Sequence, residues 1–258
     1  MLIMINLIQS EIYKLVRNKT FGYLMMASFI LSFVLHILII VDWWQLGGTS
    51  LDIAGLGELN ALNIYLLPLF FNILVSTLGA FYISNEFSQN GQIKNPIISG
   101  KKRYQIFFSK YFVFTVSSIV ISILLPILTG IISVYILGHG EIFTTAKIIY
   151  LGIAIILFIF QFLSFTAIVF LIAMITGDSG KTILFTLLLT IFMLLVEKLS
   201  SGSIVEPLYH QTVFHQYSLV LKFNITSAEV IHSIFIGSIW FIILLLCNIF
   251  VMNRREIK

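Results

Sequence analysis

Apolar residues along the chain gather into six long runs that are separated by short polar connections. A helix needs roughly 20 apolar residues to cross a bilayer, and all but one of the runs reach that length with few charges. The pattern therefore predicts an all-α integral membrane protein with six transmembrane helices. We predict these helices at residues 21–41, 61–83, 111–137, 148–175, 182–196 and 230–252.

Prolines and glycines modify three of the predicted helices. Pro68 and Pro126 lie inside the second and third runs, where a proline removes a backbone hydrogen bond and predicts a kink. The fifth run is the short one, and we expect Gly177 and Gly180 to let its helix begin early.

Residues 1–19 have a pattern of their own, with Ile5, Ile8 and Ile12 at helical spacing and polar residues between them. This predicts an amphipathic helix that lies along the membrane surface. The alternative is a charged flank that only anchors the first span. The basic residues expected at the membrane surface are Lys14, Arg17 and Lys19.

The composition agrees with a membrane protein. Hydrophobic residues make up 59% of the 258 residues and charged residues only 10%, whereas a soluble domain carries about 25% charged residues. Six spans and their connections use the whole length. We therefore expect one transmembrane domain over residues 1–258, without a sizeable soluble domain.

The positive charges are unevenly distributed between the two sides of the predicted membrane. Twelve of the 15 Lys and Arg residues fall on the side that holds both termini, and three fall on the other side. Positively charged loops remain in the cytoplasm, so we predict a cell-membrane protein with both termini cytoplasmic. The net charge of +4 is then a consequence of topology and does not indicate a nucleic-acid partner.

The connection at residues 199–228 is the longest on the external side and is rich in apolar and aromatic residues. A solvated loop would be more polar. We therefore expect short helices here, partly embedded in the membrane.

The cores of the predicted spans contain no Asp, Glu, Lys or Arg. Proton-coupled transporters and intramembrane enzymes place ionisable groups at membrane depth, so we expect no catalytic residue in this chain. Neutral polar residues remain, and their usual role is hydrogen bonding between helices. These are Asn63, Asn72, Gln161 and Asn248.

Two local motifs do not indicate a ligand site. Residues 177–182 end like a phosphate-binding loop, but Ile175 stands where the first glycine is required and both flanks are membrane helices. His210 and His215 lie too far apart in sequence, and with too few further ligands, to predict a metal site. Any energy for transport must therefore come from a partner.

The connection at residues 84–110 resembles the coupling region of the ABC type-2 permease family, the membrane subunits of many bacterial exporters. An acidic residue after the second span, a glycine about five residues later and a basic stretch before the third span are typical of it. Gln92 and Lys102 depart from the common pattern, whereas residues 10–19 are similar to the family's elbow helix. The matching positions are Glu86, Gly91, Lys94, Asn95, Gly100, Arg103 and Lys110.

The resemblance implies a dimer of permeases, formed with a second copy or a homologue, above two ABC ATPase subunits. ATP and Mg²⁺ would bind to the ATPase, and this chain would carry no cofactor. A coupling helix between spans two and three would dock on the ATPase, and the turn at 176–181 would be a smaller contact. The residues implied in docking are Glu86, Phe87, Gly91, Lys94, Asn95, Gly100, Arg103 and Asp178.

The size and single-domain build are similar to permeases that export amphipathic peptides, such as bacteriocins, lantibiotics or toxins, or that give immunity to them. The expected partners are therefore the ATPase, a second permease, membrane lipid and a peptide substrate, with no nucleic acid. Two alternatives remain open: a secondary transporter or channel that needs no ATPase, and an intramembrane enzyme or passive assembly subunit.

Overall fold

A computed structural model describes residues 2–88, 93–200 and 202–254, and this part of the chain is helical without strands. Two single turns of 3₁₀ helix, Gly57–Leu59 and Gly140–Ile142, occur in the connections. The α-helices are α1 (Leu2–Val16), α2 (Lys19–Ile40), α3 (Ser50–Ile53), α4 (Ala61–Tyr65), α5 (Pro68–Phe87), α6 (Lys94–Ile98), α7 (Arg103–Ile136), α8 (Thr145–Thr176), α9 (Ser179–Ser200), α10 (Glu206–His210), α11 (Val213–Tyr217) and α12 (Ser227–Arg254).

Six helices in the described ranges are long and apolar enough to cross a membrane, namely α2, α5, α7, α8, α9 and α12. This confirms the prediction of an all-α protein with six spans. The N-terminal segment also forms the expected helix, α1, ahead of the first span.

The second span differs from the prediction at its start. Residues 61–65 form the separate short helix α4, and the span begins only at Pro68. Leu67 is extended (φ −68°, ψ 130°), which is the conformation that a following proline favours. The expected kink at Pro68 is therefore wrong: the residue opens its helix, where a missing N–H has no intrahelical acceptor.

The third span begins at Arg103, eight residues earlier than predicted. Lys102 is extended and its N–H donates to the Gln105 side chain (3.3 Å), as in one half of a capping box. Inside α7, the Leu125 N–H donates to the carbonyl of Val120, five residues back. This π-helical turn immediately precedes Pro126, so the helix is irregular where the sequence predicts a kink.

The early start of α7 corrects the expectation that the spans contain no Asp, Glu, Lys or Arg. Lys110 now lies inside a span helix, and Glu86 lies in the last turn of α5. The six helices that could span the membrane are therefore not free of ionisable residues at their ends.

The fifth span is longer than its apolar run. Gly177 ends α8 in the left-handed conformation (φ +54°), and α9 then begins at Ser179 and reaches Ser200. Asp178 accepts the Lys181 N–H at 2.8 Å, which stabilises the first turn of α9. Its 22 residues are enough to cross a bilayer.

Helix α8 lies at the centre of the bundle and packs against α5, α7, α9 and α12. Its buried phenylalanines surround Phe71 of α5, with ring centroids 5.7 Å away for Phe158 and 4.9 Å for Phe165. Such aromatic pairs contribute about 0.5–1.5 kcal/mol beyond their buried area. The centre of the molecule is therefore an aromatic core.

Three of the predicted polar residues bond between helices, as expected. Asn72 donates to the Thr186 carbonyl (2.8 Å), Gln161 to the Ser233 carbonyl (2.8 Å) and Asn248 to the Ala167 carbonyl (3.0 Å).

Asn63 differs from these three, because its amide donates to the carbonyl of Asn60 in the same short segment (3.2 Å). It therefore does not join two spans.

The long connection at 199–228 contains the expected short helices, α10 and α11. Tyr217 of α11 packs on Phe71 (4.8 Å between ring centroids), and Phe214 packs on Phe165 (6.3 Å). The connection thus covers one end of the aromatic core. Its embedding in the membrane stays a prediction.

Candidate functional site

Four charged side chains from three helices meet at the end of the bundle where α5 ends and α7 begins. We call Glu11, Lys14, Glu86 and Lys110 the charge cluster. Lys110 Nζ donates to Glu11 Oε2 at 2.8 Å and also to Glu86 Oε2. Lys14 Nζ donates to Glu11 Oε1 at 2.9 Å and to Glu86 Oε1 at 3.2 Å. The cluster is closed and electrically neutral, with two cations and two anions.

The cluster follows from helical geometry. Glu11 and Lys14 are three residues apart on α1, so they share one face. That face is turned to the bundle, because Leu15 is also buried there (5% exposed). Tyr82 of α5 donates its hydroxyl to Glu11 Oε2 at 2.8 Å. Both α5 and α7 therefore bind the same carboxylate of α1.

Burial makes the loss of one partner from these ion pairs strongly destabilising. The side chains of Lys110 and Glu11 are only 1% and 4% exposed. Removing one partner of a buried pair costs about 3–5 kcal/mol, because it leaves an uncompensated charge, whereas replacing the whole pair by apolar residues can be neutral. The cluster therefore fixes how α1 docks on the bundle more than it adds net stability.

The two α1 groups keep their charge over a wide pH range. Burial opposes ionisation of Glu11, but Lys110 and Lys14 outweigh it, so the pKa of Glu11 is lowered. Burial also opposes the charge of Lys14, but Glu86 and Glu11 outweigh it and raise its pKa. Both residues are thus charged at neutral pH.

A second set of contacts joins the end of α5 to the turn between α8 and α9. Ser179 Oγ donates to Asn85 Oδ1 at 2.7 Å, and Ser84 Oγ lies 2.6 Å from Thr182 Oγ1. The end of α5 and the start of α9 therefore lie side by side.

A third contact joins the start of α7 to the end of α12. Arg103 Nη1 donates to the carbonyls of Met252 (3.0 Å) and Asn253 (2.8 Å). These carbonyls lie in the last turn of α12, where no intrahelical N–H is available. Arg103 thus acts as a C-terminal cap supplied from another helix.

The structure divides the residues implied in docking into two groups. Glu86 binds two lysines of the charge cluster, Arg103 binds the end of α12, and Asp178 caps α9. Phe87 is 4% exposed, because it packs in the core with Leu15, so its ring is not available at the surface. Ile93, at 3% exposed, is buried in the same way.

The remaining residues lie on the outer side of the connection. Lys94 and Asn95 open the short helix α6, which ends at Ile98, a side chain that is 82% exposed. Gly100 has φ +78°, a conformation that favours glycine, and turns the chain towards α7. Gly91 lies outside the described residues.

The basic residues of the N-terminal segment lie in two different environments. Arg17 and Lys19 are exposed, and the Arg17 guanidinium lies 4.3 Å from the Tyr13 ring centroid. Lys14 is instead directed into the charge cluster, so it is not a simple membrane-surface residue. Exposed apolar side chains on α1, such as Ile12 and Val16, remain available to lipid.

Sequence reasoning missed the charge cluster as a unit. One signal was present: Glu11 and Glu86 are among the few acids on a side dominated by lysine and arginine. Acids that persist there indicate internal pairing, although the sequence does not say with which cation.

A comparison with protein-family models gives one match, to a family described as ABC-2 family transporter protein, over residues 7–197. The matched range contains all four members of the charge cluster. No curated protein matches the chain.

Proposed function

This chain belongs to the ABC-2 transporter family, and from that premise we propose that it is the permease of an ATP-driven exporter whose ATPase is a separate chain. Membership makes it a multi-pass transmembrane component of an ABC transporter. The partner ATPase would bind ATP and Mg²⁺ and carry out all hydrolysis. The permease would contribute a pathway and the elements that receive the ATPase movement.

The topology that we propose has both termini in the cytoplasm of a cell whose membrane the six helices cross. The distribution of Lys and Arg supports this orientation, with twelve residues on one side and three on the other. The charge cluster and α6 would then lie at the cytoplasmic end, and α6 would face the ATPase. Residues 199–228 would lie on the outer side.

The observation that carries the proposal is the anchoring of the α5–α7 connection at both of its ends. Phe87 is buried where α5 ends, and Arg103 holds the end of α12 where α7 begins. A push on α6 therefore reaches α5, α7 and α12 together. Lys110 passes it on to α1 through Glu11.

The docking surface that we propose centres on α6, with Ile98 as its apolar contact and Lys94, Asn95 and Gly100 around it. Contacts from the turn at 176–181 would add to this surface, since Ser179 binds Asn85 at the end of α5. Glu86 and Arg103 would act from inside, by keeping the surface rigid.

Substrate, direction and assembly are the parts of the proposal that come from resemblance. We propose amphipathic peptides, such as antibiotic or bacteriocin peptides, moved out of the cell or out of the membrane. A second permease, either a copy or a homologue, would complete the pathway. An exporter and an immunity system would use the same arrangement.

The test is capture of the ATPase by the tagged chain in mild detergent, followed by measurement of Mg²⁺-dependent ATP hydrolysis. Ile98→Asp should reduce capture at least tenfold, because it places a charge in the apolar contact. Ile204→Asp is the matched control, since Ile204 is 97% exposed and lies in the 199–228 connection on the opposite side. Equal capture by both variants would reject α6 as the docking element.

A second experiment distinguishes an ATP-driven exporter from a secondary transporter. The purified chain alone, in vesicles with an ion gradient, should transport no peptide. Gradient-driven flux without an ATPase would establish a secondary transporter instead.

A further inference from the structure

An apolar cavity of about 360 Å³ opens between α7 and α8, near the end of the bundle that carries the 199–228 connection. A smaller cavity shares four of its lining residues and extends it towards Pro126. We call the two together the α7–α8 groove. Its main lining residues are Leu62, Ile127, Ile131, Leu151, Gly152 and Ile155.

The groove is elongated along two helices. On α8 its lining runs from Ile148 to Ile155, about 10 Å at 1.5 Å per residue. On α7 it runs from Ile123 to Tyr135, about 18 Å by the same measure. It therefore follows the helix axes, as lipid acyl chains do beside a transmembrane helix.

The lining selects among possible occupants. Water does not stay in an apolar cavity without polar partners. An extended peptide would leave its N–H and C=O groups unsatisfied against these side chains. A helical peptide is 10–12 Å wide and would need on the order of 1,500 Å³ over this length. A single acyl chain has no polar groups and is thin enough.

Lys147 directly precedes the part of α8 that lines the groove. Lys147 lies four residues before Leu151 and so on the same face of α8. Its Nζ donates to the Gly55 carbonyl at 2.5 Å, which uses one of the three N–H donors of an ammonium. Tyr135 and Phe143 stack nearby at 5.5 Å, and tyrosine is enriched where membranes meet water.

We propose that the α7–α8 groove binds one acyl chain of a membrane phospholipid, with the headgroup phosphate at Lys147. The apolar lining holds the chain, and Lys147 fixes its depth. The site needs only a membrane around the helices, so it does not depend on the peptide substrate or the ATPase.

Gly152 offers a direct test, because a Cβ built there meets nothing within 4 Å and a larger side chain enters the open groove. The full chain is placed in vesicles of phosphatidylcholine and phosphatidylglycerol that contain phosphatidylglycerol with an acyl-chain diazirine. After illumination, we expect adducts concentrated on Ile127, Leu151 and Ile155. Gly152→Phe should lower this labelling at least fivefold.

Gly22→Phe on α2 is the matched control, since a Cβ at Gly22 also meets nothing within 4 Å, and it should leave the labelling unchanged. Ile131→Trp fills the groove from α7 and replaces Gly152→Phe if that variant does not fold. Even labelling around all the membrane helices, or labelling that neither groove-filling variant lowers, would overturn the proposal.

The headgroup contact has its own arm. Lys147→Gln should lower labelling by the phosphatidylglycerol probe severalfold and leave labelling by a diacylglycerol probe, which lacks phosphate, unchanged. Equal loss with both probes would remove Lys147 from the site. Saturable displacement of the probe by an amphipathic peptide would reassign the groove to peptide and overturn the lipid proposal.

Discussion

Lys110 is the residue whose environment departs most from expectation, because a full positive charge is 1% exposed in a helix of a membrane span. The carboxylates of Glu11 and Glu86 neutralise this charge, and solvent hardly reaches it. A buried ammonium that loses these partners, or carboxylates that lose the ammonium, would be strongly destabilised. Lys110 is thus one of the groups that hold α1 against the bundle.

Lys110→Met should lower the free energy of unfolding in detergent by about 3–5 kcal/mol, since Glu11 and Glu86 then share only Lys14. The exposed Lys181, changed to Met, should stay within about 0.5 kcal/mol. Combining Lys110→Met with Glu11→Gln should recover part of the loss. Full stability of Lys110→Met alone would contradict the cluster.

The pH dependence of unfolding should report Glu11. Its pKa is lowered in the fold from a usual value of 4.5, so its contribution is present above that value and is lost as the pH falls through the lowered pKa. Thermal unfolding followed at decreasing pH should therefore show an acid limb. Glu11→Gln should flatten that limb, and an unchanged limb would count against the pairing.

At the scale of elements, close approach of the spans depends on small residues that meet polar side chains. Gly237 of α12 lies against Gln161 of α8, and a Cβ added there would lie 2.9 Å from Nε2. The Gln161 amide also donates to the carbonyl of Ser233, which lies on α12 one turn before Gly237. The contact between α8 and α12 therefore combines steric fit with a hydrogen bond.

Gly237→Ala should destabilise the protein by about 1–3 kcal/mol in an unfolding titration, because the methyl group overpacks the contact with Gln161. Gly152→Ala adds the same methyl group in open space. It should be neutral or gain about 0.5–1 kcal/mol, since alanine favours a helix over glycine. Identical effects of the two variants would be inconsistent with this packing.

The number of spans and their helical type could be predicted from the sequence because each span is a local run of apolar residues. The start of α7 at Arg103 could not be predicted, since polar residues continue the helix beyond its apolar run. The start of α5 at Pro68 could not be predicted either, since the apolar run continues on both sides of this residue. The charge cluster was also out of reach. Glu11 and Lys110 are 99 residues apart, and no local pattern relates them. The bonds of Asn72 and Gln161 were predicted in kind, but not their partners.

At the scale of the whole molecule, the exposed and buried parts of the cytoplasmic end that we propose have different tasks. Ile98 on α6 is exposed for contact, whereas Glu86 is directed inwards to two lysines. One part would bind the ATPase, and the other would transmit its movement to α1. Substitutions in the exposed part should therefore lower ATPase binding, whereas substitutions in the buried part should lower ATP hydrolysis.

Glu86→Gln should keep ATPase capture near the level of the unchanged chain and reduce peptide-stimulated ATP hydrolysis severalfold, because its contacts with Lys14 and Lys110 are weakened. Ile98→Asp should lose capture itself. Both activities are read from the same reconstituted complex. A loss of capture in Glu86→Gln would place its carboxylate at the interface with the ATPase.

Arg103 also sets an order of events during biosynthesis. Its acceptors, the carbonyls of Met252 and Asn253, lie about 150 residues later in the chain. At 5–20 residues per second, the ribosome needs roughly 7–30 s to make them. All members of the charge cluster exist once Lys110 is made. The N-terminal helices can thus assemble early, whereas the contact between Arg103 and α12 forms only after the last helix has been made.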